Sequence, residues 1–378
     1  TVNKATIRRP VLMGLAAVLW MVATGAAGNT VPGGIEAKAD SIVVHDTTIK
    51  GYPYAYYTPE TQFAVGVGGI ATFYTSKDNQ LRPSKVVLSG YYTSNKQYLV
   101  TLNPELYYSK NRYYTGLKLT FGHYVDKFYC IGNATPDLGT EQYVADSNGI
   151  ELELETPPLF FVSDRSGLVY DYHYTKITDP EENPYLQDDE ITGSRGGTVS
   201  GVGGVWIWDR RNHSFYPTHG DLHELKAVIY SGATGSDFTY WTIELNDRRY
   251  VSLAKDKVLA MQFYIDMAMG EAPFDQLPAL GGQHRMRGYY EGRYRDQAYL
   301  MFQTEYRHVL SDRWGYVVFG ALGDVAPDVT LFHAPDFKFA GGAGIRFMFN
   351  KEEKVNLRVD FGVGKDTSGV YFGLEEAF

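Results

Sequence analysis

A single cysteine, Cys130, in 378 residues excludes an internal disulfide and any zinc or iron–sulfur centre that needs several thiolates. Packing, hydrogen bonds and ion pairs must hold the fold together. Basic residues are in the minority as well, 35 Lys and Arg against 44 Asp and Glu for a formal charge of -9, and no basic stripe interrupts the balance. That excludes nucleic acid as a partner, because phosphate-backbone recognition needs a positive surface. Long apolar runs are missing too: beyond residue 40 nothing approaches the roughly 20 apolar residues that a membrane helix requires. Catalytic signatures are equally scarce. The histidines at 45, 123, 173, 213, 219, 223, 284, 308 and 333 show no His-Glu-x-x-His spacing, and no Gly-x-Ser-x-Gly elbow occurs. Gly362-Val363-Gly364-Lys365-Asp366 lacks the Ser or Thr that a phosphate loop places after its lysine. The expectation is no enzyme, no cofactor and no metal site.

At the N-terminus, Lys4, Arg8 and Arg9 precede the apolar run 11–23, VLMGLAAVLWMVA, which is too short to span a bilayer. Small residues follow at 25–28 and again at Ala37-Lys38-Ala39. This order reads as an export signal, with residues 1–39 as signal and cleavage zone and 40–60 as a short periplasmic lead-in.

What the chain has in quantity is aromatics, 31 Tyr and 20 Phe, together with 40 Gly, a profile of glycine-punctuated strands. The strands alternate. Over 355–364, Val355, Leu357, Val359, Phe361 and Val363 share one face while Asn356, Arg358, Asp360, Gly362 and Gly364 share the other. Over 338–350, Phe339, Ile345, Phe347 and Phe349 oppose Lys338, Gly342, Gly344, Arg346 and Asn350. Over 297–310, Ala298, Leu300, Phe302, Thr304, Tyr306 and Leu310 face away from Gln297, Gln303, Glu305 and Arg307. Charge stays on one face, as it must where one side meets hydrocarbon. A chain without apolar helices can satisfy its backbone in lipid only by closing a sheet.

Comparable segments recur at 61–75, 84–94, 97–109, 112–125, 142–162, 167–178, 197–210, 221–233, 238–252 and 257–270, with five more after 296. Fifteen segments at about 22 residues per strand and loop fit a membrane barrel of 14 to 18 strands. The final segment, with Val370, Tyr371, Phe372, Leu374 and Phe378, ends on an aromatic at an alternate position and reads as the C-terminal insertion signal of such a barrel. Turns such as Ser94-Asn95-Lys96 are short and polar. The long loops are 179–196, acidic and proline-bearing, which reads as a solvated outer face, and 270–296, rich in Gly, Arg and Tyr. Trp206, Trp208, Trp241 and Trp314 suit a membrane-interface girdle.

Leu280-Gly281-Gly282, Met286-Arg287-Gly288-Tyr289-Tyr290 and Gln303-Thr304-Glu305-Tyr306-Arg307 resemble the lid-loop region of the BamA/TamA superfamily, the bacterial surface antigens. Tyr57-Thr58-Pro59-Glu60-Thr61, Trp208-Asp209-Arg210-Arg211, Asp247-Arg248-Arg249-Tyr250 and Gly344-Ile345-Arg346 widen the likeness. The resemblance implies an all-β, 16-stranded antiparallel transmembrane barrel over 61–378, with eleven strands before a lumen-inserted lid at 270–296 and five after it. Only ten precede the lid by the pattern, so the sixteenth strand is expected within 126–182, near Pro157-Pro158. The lid motif is then Met286, Arg287, Gly288 and Tyr289, with Arg287 facing Glu305. Ala321 stands where the family usually carries a second lid-binding Asp, in a Phe-x-Asp-x-Gly pattern, and Asp360 is the expected substitute. The stretch between cleavage zone and first strand leaves no room for a POTRA module, so a barrel-only member is expected.

The resemblance implies insertion or transport of proteins or lipids at a bacterial outer membrane. Outer-membrane lipid, the barrel-assembly machinery during biogenesis and a separate periplasmic partner or lipoprotein are the partners it implies. A passive plugged pore or ligand-binding barrel is the alternative.

Overall fold

The computed structural model describes residues 47–58, 62–76, 81–94, 96–158, 163–180, 183–187, 190–351 and 354–378. The expected signal at 1–39 lies outside them. Alternation produces strands wherever the sequence shows it: β1 (Thr48–Thr58), β2 (Gln62–Phe73), β3 (Ser84–Thr93), β4 (Tyr98–Tyr108), β5 (Tyr113–Lys127), β6 (Gln142–Thr156), β7 (Arg165–Asp179) and β8 (Gly196–Asp209). Next come β9 (Gly220–Tyr230), β10 (Tyr240–Ala254) and β11 (Lys257–Gly270), then two short strands, β12 (Ala279–Leu280) and β13 (Tyr294–Arg295). The chain ends with β14 (Ala298–Val309), β15 (Trp314–Ala326), β16 (Lys338–Asn350), β17 (Val355–Gly364) and β18 (Thr367–Leu374).

All but β12 and β13 belong to one sixteen-stranded antiparallel barrel sheet ordered as in the sequence, with β11 paired to β14 across the lid loop. Eleven barrel strands precede the lid and five follow it. Side chains obey the inversion expected of a membrane barrel. Phe339 is 70% exposed, Ile345 56% and Val318 50%, whereas Glu305 and Asp360 are fully buried and Arg307 is 1% exposed. Greasy groups therefore face out and ionised groups face in, where other polar groups can pair with them. Ala298, placed on the outer face by alternation, is covered at the lid end of β14.

The sixteenth strand is not within 126–182. That stretch holds the end of β5 and all of β6 and β7, with Pro157-Pro158 in the turn that follows β6. The extra strand is β1, which occupies most of the expected lead-in, so the barrel begins at Thr48 rather than Thr61. Its pattern hides it: one face carries Ile49, Gly51 and Pro53, and the other carries Lys50, Tyr52 and Tyr54, so the apolar bulk sits on the unexpected side. Tyr52 and Tyr54 lie over Gly68 and Gly66 of β2, where a Cβ would approach their rings to 2.7 and 2.4 Å. Pro53 is tolerated because β1 stands at one end of the strand order.

Candidate functional site

Residues 271–297 leave β11 and return to β14 at the same mouth, and they fold into the lumen. Their root is an antiparallel pair, β12 with β13, stitched to the 128–141 loop by Gly132 N donating to the Arg295 carbonyl at 2.8 Å. Arg295 in turn donates to the Phe274 carbonyl at 2.8 Å, and the Phe274 ring packs on Phe128 at 4.6 Å between centroids. Deeper in, Leu280, Met286 and Tyr289 form an apolar cluster with Tyr264, Tyr299, Met301, Ala321 and Val325 of the barrel wall. Ala321 thus gives the lid an apolar floor where the family pattern carries an acid.

The tip of the lid is shaped by backbone contact. Gly288 has φ +122, and a Cβ there would come within 2.5 Å of the Val363 carbonyl carbon on β17. The reciprocal Cβ on Gly362 would meet the Arg287 carbonyl carbon at 2.6 Å. Only glycine at both positions lets lid and wall backbones touch. Tyr371 fastens this contact from the last strand: its hydroxyl accepts from Gly288 N at 2.8 Å and donates to the Tyr289 carbonyl at 3.2 Å. Tyr289 donates to the Phe339 carbonyl at 3.2 Å and accepts from Lys365 N at 2.9 Å.

This contact delivers Arg287 into a buried ionic cluster. Its Nη2 donates to Glu305 Oε2 at 2.7 Å and its Nη1 to Asp360 Oδ2 at 2.6 Å, all three side chains being fully shielded from solvent. The guanidinium lies over the Phe319 ring at 3.7 Å. A planar fork between two carboxylates and above an aromatic face uses every recognition mode arginine has, and lysine could not reproduce it. Both carboxylates that the sequence offered as partners therefore stand on the lid arginine.

Alternation along β14, β16 and β17 brings three further arginines to the same place. Arg307 Nε donates to Glu305 Oε1 at 2.8 Å, Arg358 Nη1 to Asp360 Oδ2 at 3.0 Å, and Arg346 Nη1 binds Asp360 Oδ1. A further carboxylate is Glu376, which takes Arg346 Nε at 2.7 Å and Asn356 Nδ2 at 2.7 Å. Four guanidiniums thus meet three carboxylates. Arg287 Nε, Arg307 Nη1 and Arg358 Nε and Nη2 have no hydrogen-bond partner among the described residues. His284, in the lid, lies near Arg358 and donates to the Ala377 carbonyl at 3.0 Å. Burial above all, reinforced by Arg358, pushes its imidazole down to about 4.

One sequence-predicted position is corrected. Phe378 shares alternation with Phe372 and Leu374 but not their strand, because β18 ends at Leu374 and Glu375 takes φ +66. The chain turns inward there, and the Phe378 ring packs against Tyr250 and Ala260 inside the barrel, 6% exposed. Tyr371 faces the lumen as well, as its lid bonds require. Sequence reasoning missed Glu376 and the joint role of Arg346 and Arg358. The inward alternation marks both arginines as lumen residues; nothing local marks Glu376.

No protein of curated function matches the sequence. Among solved structures, the fold is similar to BamA from Haemophilus ducreyi lacking POTRA domains 1-3, at 15% identity and TM-score 0.55 over 88% of this chain and 69% of that one. It is also similar to CdiB from Acinetobacter baumannii, at 10% identity and TM-score 0.53 over 87% of this chain and 59% of that one. Residues 82–378 match the Omp85 superfamily domain, so this sixteen-stranded, lid-bearing chain belongs to the Omp85 superfamily.

Proposed function

We propose that the chain works in a bacterial outer membrane as an assembly or translocation barrel, assisting insertion or transport of proteins or lipids together with a separate periplasmic partner. The observation that supports this most is the Arg287 contact: a lumen plugged by a loop whose deepest tie is ionic. Bringing two charges together in a dry site returns roughly what their desolvation costs, so such a tie sets position without a deep energy well. A lid held this way can be displaced by a client that binds the open state preferentially, and the size of the shift is set by that differential affinity. A passive pore needs a lumen that stands open.

Two measurements on reconstituted vesicles test the reading. Deleting 280–292 should convert a barrel of low basal conductance into a large, steady channel. Vesicles carrying the intact chain should accelerate folding of a urea-denatured outer-membrane barrel relative to empty vesicles. High conductance of the intact chain, with no acceleration, would make it a passive pore.

A further inference from the structure

After Leu374 the chain leaves the barrel wall. Glu375, at φ +66, directs Glu376, Ala377 and Phe378 into the lumen, where all three are nearly buried. β18 runs away from the lid's mouth, so this tail enters from the opposite end and meets the tip of the lid.

Every tail residue has a partner in the wall or the lid. The Glu375 carboxylate lies 3.5 Å from Lys85 Nζ of β3, and Glu375 N donates to the Asn356 carbonyl at 2.7 Å. Lys85 also pairs with Glu105 at 3.3 Å and sits 5.1 Å from the Phe215 ring of the 210–219 loop. Glu376 fills a socket made by Arg346 Nε, Asn356 Nδ2 and, at 3.8 Å, Arg307 Nε. The Ala377 carbonyl accepts from His284, and the Phe378 carbonyl accepts from Arg307 Nη2 at 2.8 Å.

These contacts converge on the lid. One path runs from Arg287 through Glu305 to Arg307 and Phe378. The other runs from Arg287 through Asp360 to Arg346 and Glu376. Each bridging carboxylate serves a lid-side and a tail-side guanidinium at once, and His284 touches the tail directly. Without Glu376, four guanidiniums would face two side-chain carboxylates in a site that already leaves buried N–H groups unpartnered, so the tail supplies charge that the lid's own socket needs. Lys85 extends the grip from the end of the last strand to β3, the third strand of the sheet order.

We infer that residues 375–378 are an internal latch: a short acidic–aromatic peptide that occupies a basic socket in the lumen, ties the last strand to β3, and holds the lid through Glu305 and Asp360. This goes beyond the proposed function, since it concerns how the barrel is kept shut whatever crosses it.

The test uses the full chain in lipid vesicles and reads trypsin cleavage at the lid arginines, so it does not depend on any assembly activity. Glu376→Gln keeps the shape and removes the charge, and lid cleavage should accelerate about tenfold. Because Asp360, Arg346 and Glu376 lie on one path, Glu376→Gln should add little in an Asp360→Asn background. A chain ending at Leu374 should also expose its lid, and the free peptide Glu-Glu-Ala-Phe in excess should restore protection. Cleavage of a folded, heat-modifiable Glu376→Gln barrel within about twofold of the parent would overturn the inference, as would additive effects of the two substitutions. If the shortened chain does not insert, the two-residue cycle decides alone.

Discussion

Glu305→Gln is the most direct probe of the lid. The carboxylate is fully buried and accepts Arg287 at 2.7 Å and Arg307 at 2.8 Å. Replacing it by an amide of the same shape turns one acceptor oxygen into a donor and leaves four arginines facing Asp360 and Glu376. Breaking a buried ion pair from one side costs about 3–5 kcal/mol. That loss does not fall on the lid alone: Arg307 belongs to the wall and loses its partner whether the lid is docked or not. Sharing the loss between the two guanidiniums assigns about 2 kcal/mol to lid docking, or roughly 30-fold in the ratio of docked to undocked lid. Where opening and reclosing are fast relative to cleavage, the trypsin rate at Arg285, Arg287 and Arg293 follows the undocked population, so it should rise by a similar factor. Asp360→Asn should give a smaller lid-specific effect, because Asp360 accepts hydrogen bonds from Arg287, Arg346 and Arg358, whereas Glu305 accepts them from Arg287 and Arg307. Should the Glu305→Gln barrel be cleaved at the parent rate while remaining folded, Arg287 would not be what holds the lid, and the reasoning from its geometry would fail.

Two further outcomes follow from the same site. Gly288→Ala places a methyl group 2.5 Å from the Val363 backbone at φ +122, so the lid tip cannot seat without movement of β17. About 1–3 kcal/mol of backbone strain is expected, visible as a lower temperature for the heat-induced mobility shift on gels; an unchanged temperature would mean that the tip docks elsewhere. His284 gives a pH dependence. Its folded value, about 4, lies below the usual 6.5, so on acidification the unfolded chain takes up the proton first. The stabilisation from a neutral His284 is complete above about pH 6.5 and is lost as the pH falls through about 4. Unfolding in urea should therefore show a midpoint that drops on going from pH 7 to pH 5 by more in the parent than in a His284→Gln barrel. Equal drops would place the titration on another group.

The lid and the barrel are stabilised by different physics. The wall is a hydrogen-bonded ladder whose outer groups are apolar, and its backbone bonds have no water to exchange with in lipid. The lid is held inside the barrel by an apolar cluster, by backbone contact at Gly288 and by buried charges that are paired at near balance. Under the proposed function, that difference lets the lid move while the wall stays.

The sequence by itself determined the strand period, and with it which side chains would face lipid and which the lumen: Glu305, Arg307, Arg346, Arg358 and Asp360 are all inward residues by alternation alone, because a side chain's face in a strand depends only on its neighbours along the chain. The lid motif was legible for the same local reason, a glycine beside an arginine in a long loop between strands. Three features were decided only by tertiary structure. β1 became a strand although Gly51 and Pro53 weaken its pattern, because pairing to β2 supplies what its own residues do not. Arg346 and Arg358 joined the lid cluster because sheet curvature brings β14, β16 and β17 around one carboxylate pair. Phe378 left the outer face that its spacing assigns, because Glu376 finds Arg346, Asn356 and Arg307 inside the barrel. Attraction between charges far apart in the chain leaves no period in the sequence, and only the folded sheet brings them within reach of one another.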